Sequence, residues 1–103
     1  MIDLSKIVGF DWDEGNARKN EGHGVSAAEA EQVFFNTPLL VLDDPRHSQA
    51  EPRLHALGKT LAGRRLHLSF TLRKEATLIR VISARGMSRK ERVIYEQASK
   101  SHP

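Results

Sequence analysis

The stretch RLHALGKTLAGRRLHLSFTLRKEATLIRVISAR, residues 53–85, decides the fold. Within it Leu66, Leu68, Phe70 and Leu72 alternate with His67, Ser69, Thr71 and Arg73, the period-two pattern of a strand with one buried face. Residues 78–84 are a denser apolar run, which reads as a central strand covered on both faces. Ala62-Gly63 precedes one strand and residues 73–76 separate it from the next, and connections this short favour antiparallel hairpins. Arg53, Arg73, Arg80 and Arg85 fall within or at the ends of these strands, so the sheet is expected to be basic.

Working towards the N-terminus, residues 7–11 (IVGFD) read as an opening strand. Asp13 is placed to cap a helix over residues 14–21, which Gly22-His23-Gly24 should end. Ser26 and Glu29 form a capping box for a second helix, with Ala27, Ala30, Val33 and Phe34 on one face and Asn36-Thr37-Pro38 as its stop. Residues 39–42 suggest an edge strand or a packed extended segment. Residues 43–45 read as a turn and 46–52 as a polar loop.

Towards the C-terminus, Ser88 and Glu91 repeat the capping box and open a helix to about Ser99 that should bury Val93, Ile94 and Gln97, with residues 100–103 frayed. Helices and strands separated along the chain indicate an α+β fold: one domain over residues 1–103, with helices covering one face of an antiparallel sheet. Trp12, Phe34, Phe35 and Phe70 are assigned to its core.

The 103 residues are 39% hydrophobic, enough for one modest core. With no cysteine, disulfides, thiolate metal sites and cysteine nucleophiles are excluded. No apolar run is long enough to span a bilayer, and the first residues lack the pattern of a signal peptide, so a cytoplasmic protein is expected. The net charge of +3 hides an asymmetry: residues 1–45 carry three basic and nine acidic side chains, residues 46–103 thirteen basic and four acidic. A basic half suits a polyanion such as nucleic acid, unless the two halves neutralise each other within one fold.

Guanidinium groups on a rigid sheet bind phosphate bidentately, which makes Arg73, Arg80 and Arg85 the candidate phosphate ligands. On an ideal strand Arg80 and Arg85 point to opposite faces, and a bulge or a strand end near residues 83–85 would relax that constraint. The alternative is that these arginines pair with Glu51, Glu75 or the acidic first helix. His47 and His67 are able to act as general bases near neutral pH, whereas His55, beside Leu54 and Leu57, reads as structural. No metal-binding, Walker, GxGxxG or GxSxG spacing occurs, so neither metal nor cofactor is expected. Exposed aromatic residues on strands, the usual platform for single-stranded RNA, are also missing.

Taken together, F-D-W-D at residues 10–13, H-G-V-S at 23–26, D-x-x-H-S at 44–48, E-x-R at 51–53, Gly58, G-R at 63–64, T-x-R at 71–73, I-R-x-I-S-A-R at 79–85 and S-x-K-E-R-x-x-Y-E at 88–96 form an ordered set. The chain thereby resembles the BrnT family of bacterial type II toxins, which have a RelE-like fold. The resemblance implies a metal-independent endoribonuclease that cleaves mRNA and inhibits translation. It also implies neutralisation by a cognate ribbon-helix-helix antitoxin in a hetero-oligomer that binds operator DNA through the antitoxin. On that basis Arg73 and Arg85, then Arg80, are assigned to the scissile phosphate. Glu51 and His47 lead the candidates for base and acid, ahead of His67 and Tyr95, while Arg53, Arg64, Lys90 and Arg92 are assigned to RNA binding. A non-catalytic nucleic-acid-binding module, or a protein that receives an acidic partner segment, would need the same basic sheet.

Overall fold

The computed structural model describes residues 4–47 and 51–100, the side chains of Asn20 and His47 excepted. After a 3₁₀ turn at Leu4–Lys6 come β1 (Gly9–Phe10), α1 (Glu14–Glu21), α2 (Ala27–Phe35) and β2 (Leu40–Asp43). A second 3₁₀ turn, Pro45–His47, leads to β3 (Leu54–Lys59), β4 (Arg65–Arg73), β5 (Leu78–Gly86) and α3 (Arg89–Lys100). The strands form one five-stranded sheet in the order β1-β5-β4-β3-β2. The fold is α+β, as expected, but the sheet is mixed rather than antiparallel. β1 runs parallel to β5, Gly9 opposite Leu78 and Phe10 opposite Ile79, while the other three pairings are antiparallel. α1 and α2 carry the chain from one edge strand of the sheet to the other, and the three antiparallel pairings that follow bring β5 back beside β1 in the same direction.

The alternation along β4 separates two faces. Leu66, Leu68 and Phe70 join Leu54 and Ala56 of β3, Ile79, Val81 and Ala84 of β5, and Val25, Ala30 and Val33 around α2 in the main core. Phe34 meets Phe70 edge-on, with ring centroids 5.1 Å apart, and Phe10 at 5.7 Å. Both capping boxes form: the Glu29 backbone N–H donates to Ser26 Oγ, and the Glu91 backbone N–H to Ser88 Oγ. Phe35 is the exception among the core aromatics, lying 76% exposed past the apolar face of α2.

The opposite face is not left bare. Leu57, next to Ala56 and so pointing the other way, packs with Met87, Leu40 and Tyr95 of α3. α3 therefore lies across one end of the second face, and Tyr95, not Val93, Ile94 or Gln97, is its buried residue. The Tyr95 hydroxyl donates to the Pro38 carbonyl at 2.7 Å, so burying the ring strands no polar atom. β5, expected to be covered on both faces, buries Ile79, Val81 and Ala84 on the core side, whereas on the other Arg80 and Ser83 are half-buried and Arg85 is exposed.

Gly58 marks the tightest contact between sheet and helix. A Cβ there would stand 2.6 Å from Val33 Cγ1 and 3.4 Å from Leu39 Cδ1. Gly58→Ala is therefore expected to destabilise the chain by about 1–3 kcal/mol through overpacking, read as a drop in thermal midpoint. An unchanged midpoint would mean that α2 shifts freely on the sheet.

Candidate functional site

The register of β4 and β5 places the polar side chains. Ser69 opposes Ser83 and Phe70 opposes Val81, leaving Ile82 without a partner. That bulge resets the alternation, so Arg80 and Arg85 lie on the same face as His67, Ser69, Thr71 and Arg73. Position along the strand still separates them. Arg85 is opposite His67 and Arg80 opposite Thr71, four residues further, or about 13 Å along β4.

At the far end, each arginine is held by a carboxylate. Arg80 Nη2 donates to Asp13 Oδ2 at 2.7 Å, with Asp11 at 3.6 Å, and Arg73 Nη2 donates to Glu51 Oε1 at 3.1 Å. Asp13 also caps α1 by accepting from the Asn16 N–H, and these two donors hold its carboxyl below the usual carboxylate range. Thr71, almost fully buried, donates to the Pro52 carbonyl and ties the segment before β3 onto this face. Glu51 thus stands beside Arg73, away from the histidines. Arg64 lies elsewhere, donating to the Gly24 carbonyl at 2.6 Å and to Glu29 at 3.0 Å, where it fastens the β3–β4 turn to the start of α2. Arg53 precedes β3, half-buried, and Arg92 is exposed on α3. His47 ends the second 3₁₀ turn, and its side chain is outside the described residues.

At the near end the sheet and α3 enclose an open cleft of ≈ 480 Å³. His55, Leu57, His67 and Arg85 form its floor. Leu42 and Asp43 line one wall, and Ser88, Lys90, Glu91 and Ile94 the other. The two imidazoles lie face to face, centroids 4.9 Å apart and tilted by 38°. Behind His55, its Nε2 is 2.8 Å from Asp44 Oδ2, a carboxylate whose side chain is only 11% exposed. A proton on that nitrogen donates to the carboxylate, which fixes the ring.

Glu91 organises the second wall. Arg85 donates to it twice, Nη1 to Oε1 at 2.7 Å and Nη2 to Oε2 at 2.9 Å, and the Ser88 backbone N–H donates to Oε1 at 2.8 Å. The Arg85 hydrogen bonds, joined by that of Ser88, pull the Glu91 carboxyl down to about 2 against the cost of burial. Its partner Arg85 is correspondingly raised. His67 Nε2 faces Glu91 Oε2 at 3.9 Å, too far for a hydrogen bond. Burial holds the His67 pKa below its usual value, reinforced by Arg85 and His55 and opposed by Glu91. The cleft thus presents a neutral imidazole, a guanidinium fixed in place and, on the rim, the exposed Lys90. Among the described residues no group of three or more His, Asp or Glu is arranged to hold a metal ion.

Two of these residues escaped the sequence reading. His55 reads as structural in the sequence because Leu54 and Leu57 lie close to it. The one available signal was parity, since His55 and Leu57 share a face and His67 stands opposite Leu57 across the β3–β4 pair. Glu91 reads in the sequence as a helix cap, with no sign there that β5 brings Arg85 against it.

No helix among the described residues is long and apolar enough to cross a membrane. No curated protein matches the chain. The sequence profile of the ribonuclease toxin, BrnT, of type II toxin-antitoxin systems matches residues 12–91, a span that takes in every residue named in the lining of the cleft except Ile94. That match covers most of the chain, so this protein belongs to the BrnT family of ribonuclease toxins, which carries with it an RNA target and a cognate antitoxin.

Proposed function

We propose that the cleft between the sheet and α3 cleaves mRNA by a metal-independent transesterification. The observation that carries this reading is His67 Nε2, the nitrogen of a largely buried imidazole, opening onto the cleft beside Arg85. Neutral at cellular pH, the imidazole takes the proton of a ribose 2′-hydroxyl. The 2′-oxygen bonds to the adjacent phosphorus, the bond from phosphorus to the 5′-oxygen breaks, and that oxygen takes a proton from solvent at the open mouth. The products are a 2′,3′-cyclic phosphate and a 5′-hydroxyl, and His67 then releases its proton. Arg85, already fixed, and Lys90 on the rim counter the charge that builds on the phosphate. Arg80 and Arg73, further along the same face, are assigned to flanking phosphates, as is Arg92 on α3.

Neutralisation is assigned to a ribbon-helix-helix antitoxin that forms a hetero-oligomer with the chain and reads operator DNA on its behalf. Cytoplasmic action follows from an mRNA substrate. Induced expression, with mapping of mRNA ends at matched protein levels, tests the chemistry. Growth arrest with new ends bearing 5′-hydroxyls is the expected result. New ends bearing 5′-phosphates would replace this route with hydrolysis by an activated water. Normal growth and intact mRNA, from a folded and abundant chain, would leave the cleft a binding face only.

A further inference from the structure

Glu91 makes more contacts than a helix cap needs. A capping box requires the backbone hydrogen bonds with Ser88 and nothing else. Here the same carboxylate also holds both terminal nitrogens of Arg85, at 2.7 and 2.9 Å, and turns Oε2 towards His67 Nε2 at 3.9 Å. Its side chain is 20% exposed, so these charges meet in a partly desolvated pocket where their interaction is weakly screened.

We propose that Glu91 is a positioning residue of this cleft, which fixes the Arg85 guanidinium and presents a permanent negative charge to the imidazolium formed on His67. The inference rests on the reading of His67 as the base. The groups packed around that ring are His55 from β3, Arg85 from β5 and Glu91 from α3, with Asp44 behind His55 and Lys90 on the rim. Of these, Arg85 and His55 disfavour the protonated ring, and Glu91 favours it. When His67 takes the 2′-hydroxyl proton, a positive charge appears between two cationic or potentially cationic neighbours, and the Glu91 carboxylate is what offsets it.

The test compares Glu91→Gln with Glu91→Asp in the full-length chain. Glutamine keeps an acceptor for the Ser88 N–H, so the helix cap survives while the charge is lost. Aspartate keeps the charge. His67 titration is followed by NMR, and RNA cleavage is measured as a function of pH. In Glu91→Gln the His67 midpoint should move to lower pH, because the charge that favours its protonation is gone. The acidic limb of the cleavage profile, where His67 becomes protonated, should move the same way, with the maximal rate down roughly tenfold. Glu91→Asp should hold the midpoint nearer the natural one.

An unchanged His67 midpoint in Glu91→Gln overturns the inference whatever the activity does, since the titration does not depend on catalysis. Equal midpoints in both variants, each displaced, would also overturn it, by assigning the effect to side-chain length and packing. If the midpoint moves and the pH profile does not, it is His67 as the base that fails, and the positioning role fails with it.

Discussion

His67→Ala is expected to lower RNA cleavage by about 10²–10⁴-fold, the usual contribution of a positioned general base, and to abolish growth arrest. The ring is 12% exposed and meets no hydrogen-bond partner at Nδ1 among the described residues, so its removal sacrifices little native bonding. Thermal unfolding of the purified variant checks that the loss is chemical. Arg85→Ala is the companion experiment, with a loss of about 10²–10³-fold expected from removal of one preorganised charge at the phosphate. Its stability cost is also larger, because Glu91 would be left partly buried without its main partner. A His67→Ala chain that still arrests growth at matched levels would move the base to another residue. Glu51, beside Arg73, would then be the first to examine.

Phe70→Ala carries the largest expected stability effect. Phe70 is fully buried at the centre of β4 and meets Phe34 edge-on, so it joins the sheet to α2. Deleting the ring should destabilise the chain by about 3–5 kcal/mol, a large part of what a domain of this size possesses. At roughly 4–8 °C per kcal/mol, calorimetry should show a collapse of the thermal midpoint or a chain unfolded at 37 °C. Phe35→Ala, on the adjacent position of α2 but 76% exposed, is the control and should leave the midpoint almost unchanged. Comparable losses in the two variants would mean that α2 packs by a different face.

The sequence by itself determined the three helices and the two long strands, β4 and β5, with most of their limits. Ser26 with Glu29, and Ser88 with Glu91, act within four residues of each other, and each starts its helix where the capping box predicts. The alternation from Leu66 to Leu72 determined which side chains of β4 face the main core, because side-chain direction in a strand has period two. The ordered motifs also led to the family, since they are local strings that need no folding to be read. Such signals survive in one dimension because the interactions behind them are short-range.

Tertiary structure decided the rest. The parallel pairing of β1 with β5 spans nearly seventy residues, and nothing in either segment states which edge it will meet. The bulge at Ile82 follows from the fit between β4 and β5, and it alone brings Arg80 and Arg85 to one face. Position then divided what charge counting had grouped: Arg73 and Arg80 went to Glu51 and Asp13, and Arg85 to Glu91. The placement of α3 on the second face made a cleft out of His55, His67 and Arg85, which come from three different strands. Charge and periodicity are properties of residues, whereas a site is a set of distances. Those distances were set by strand register, one bulge and the burial of Tyr95 against Leu57.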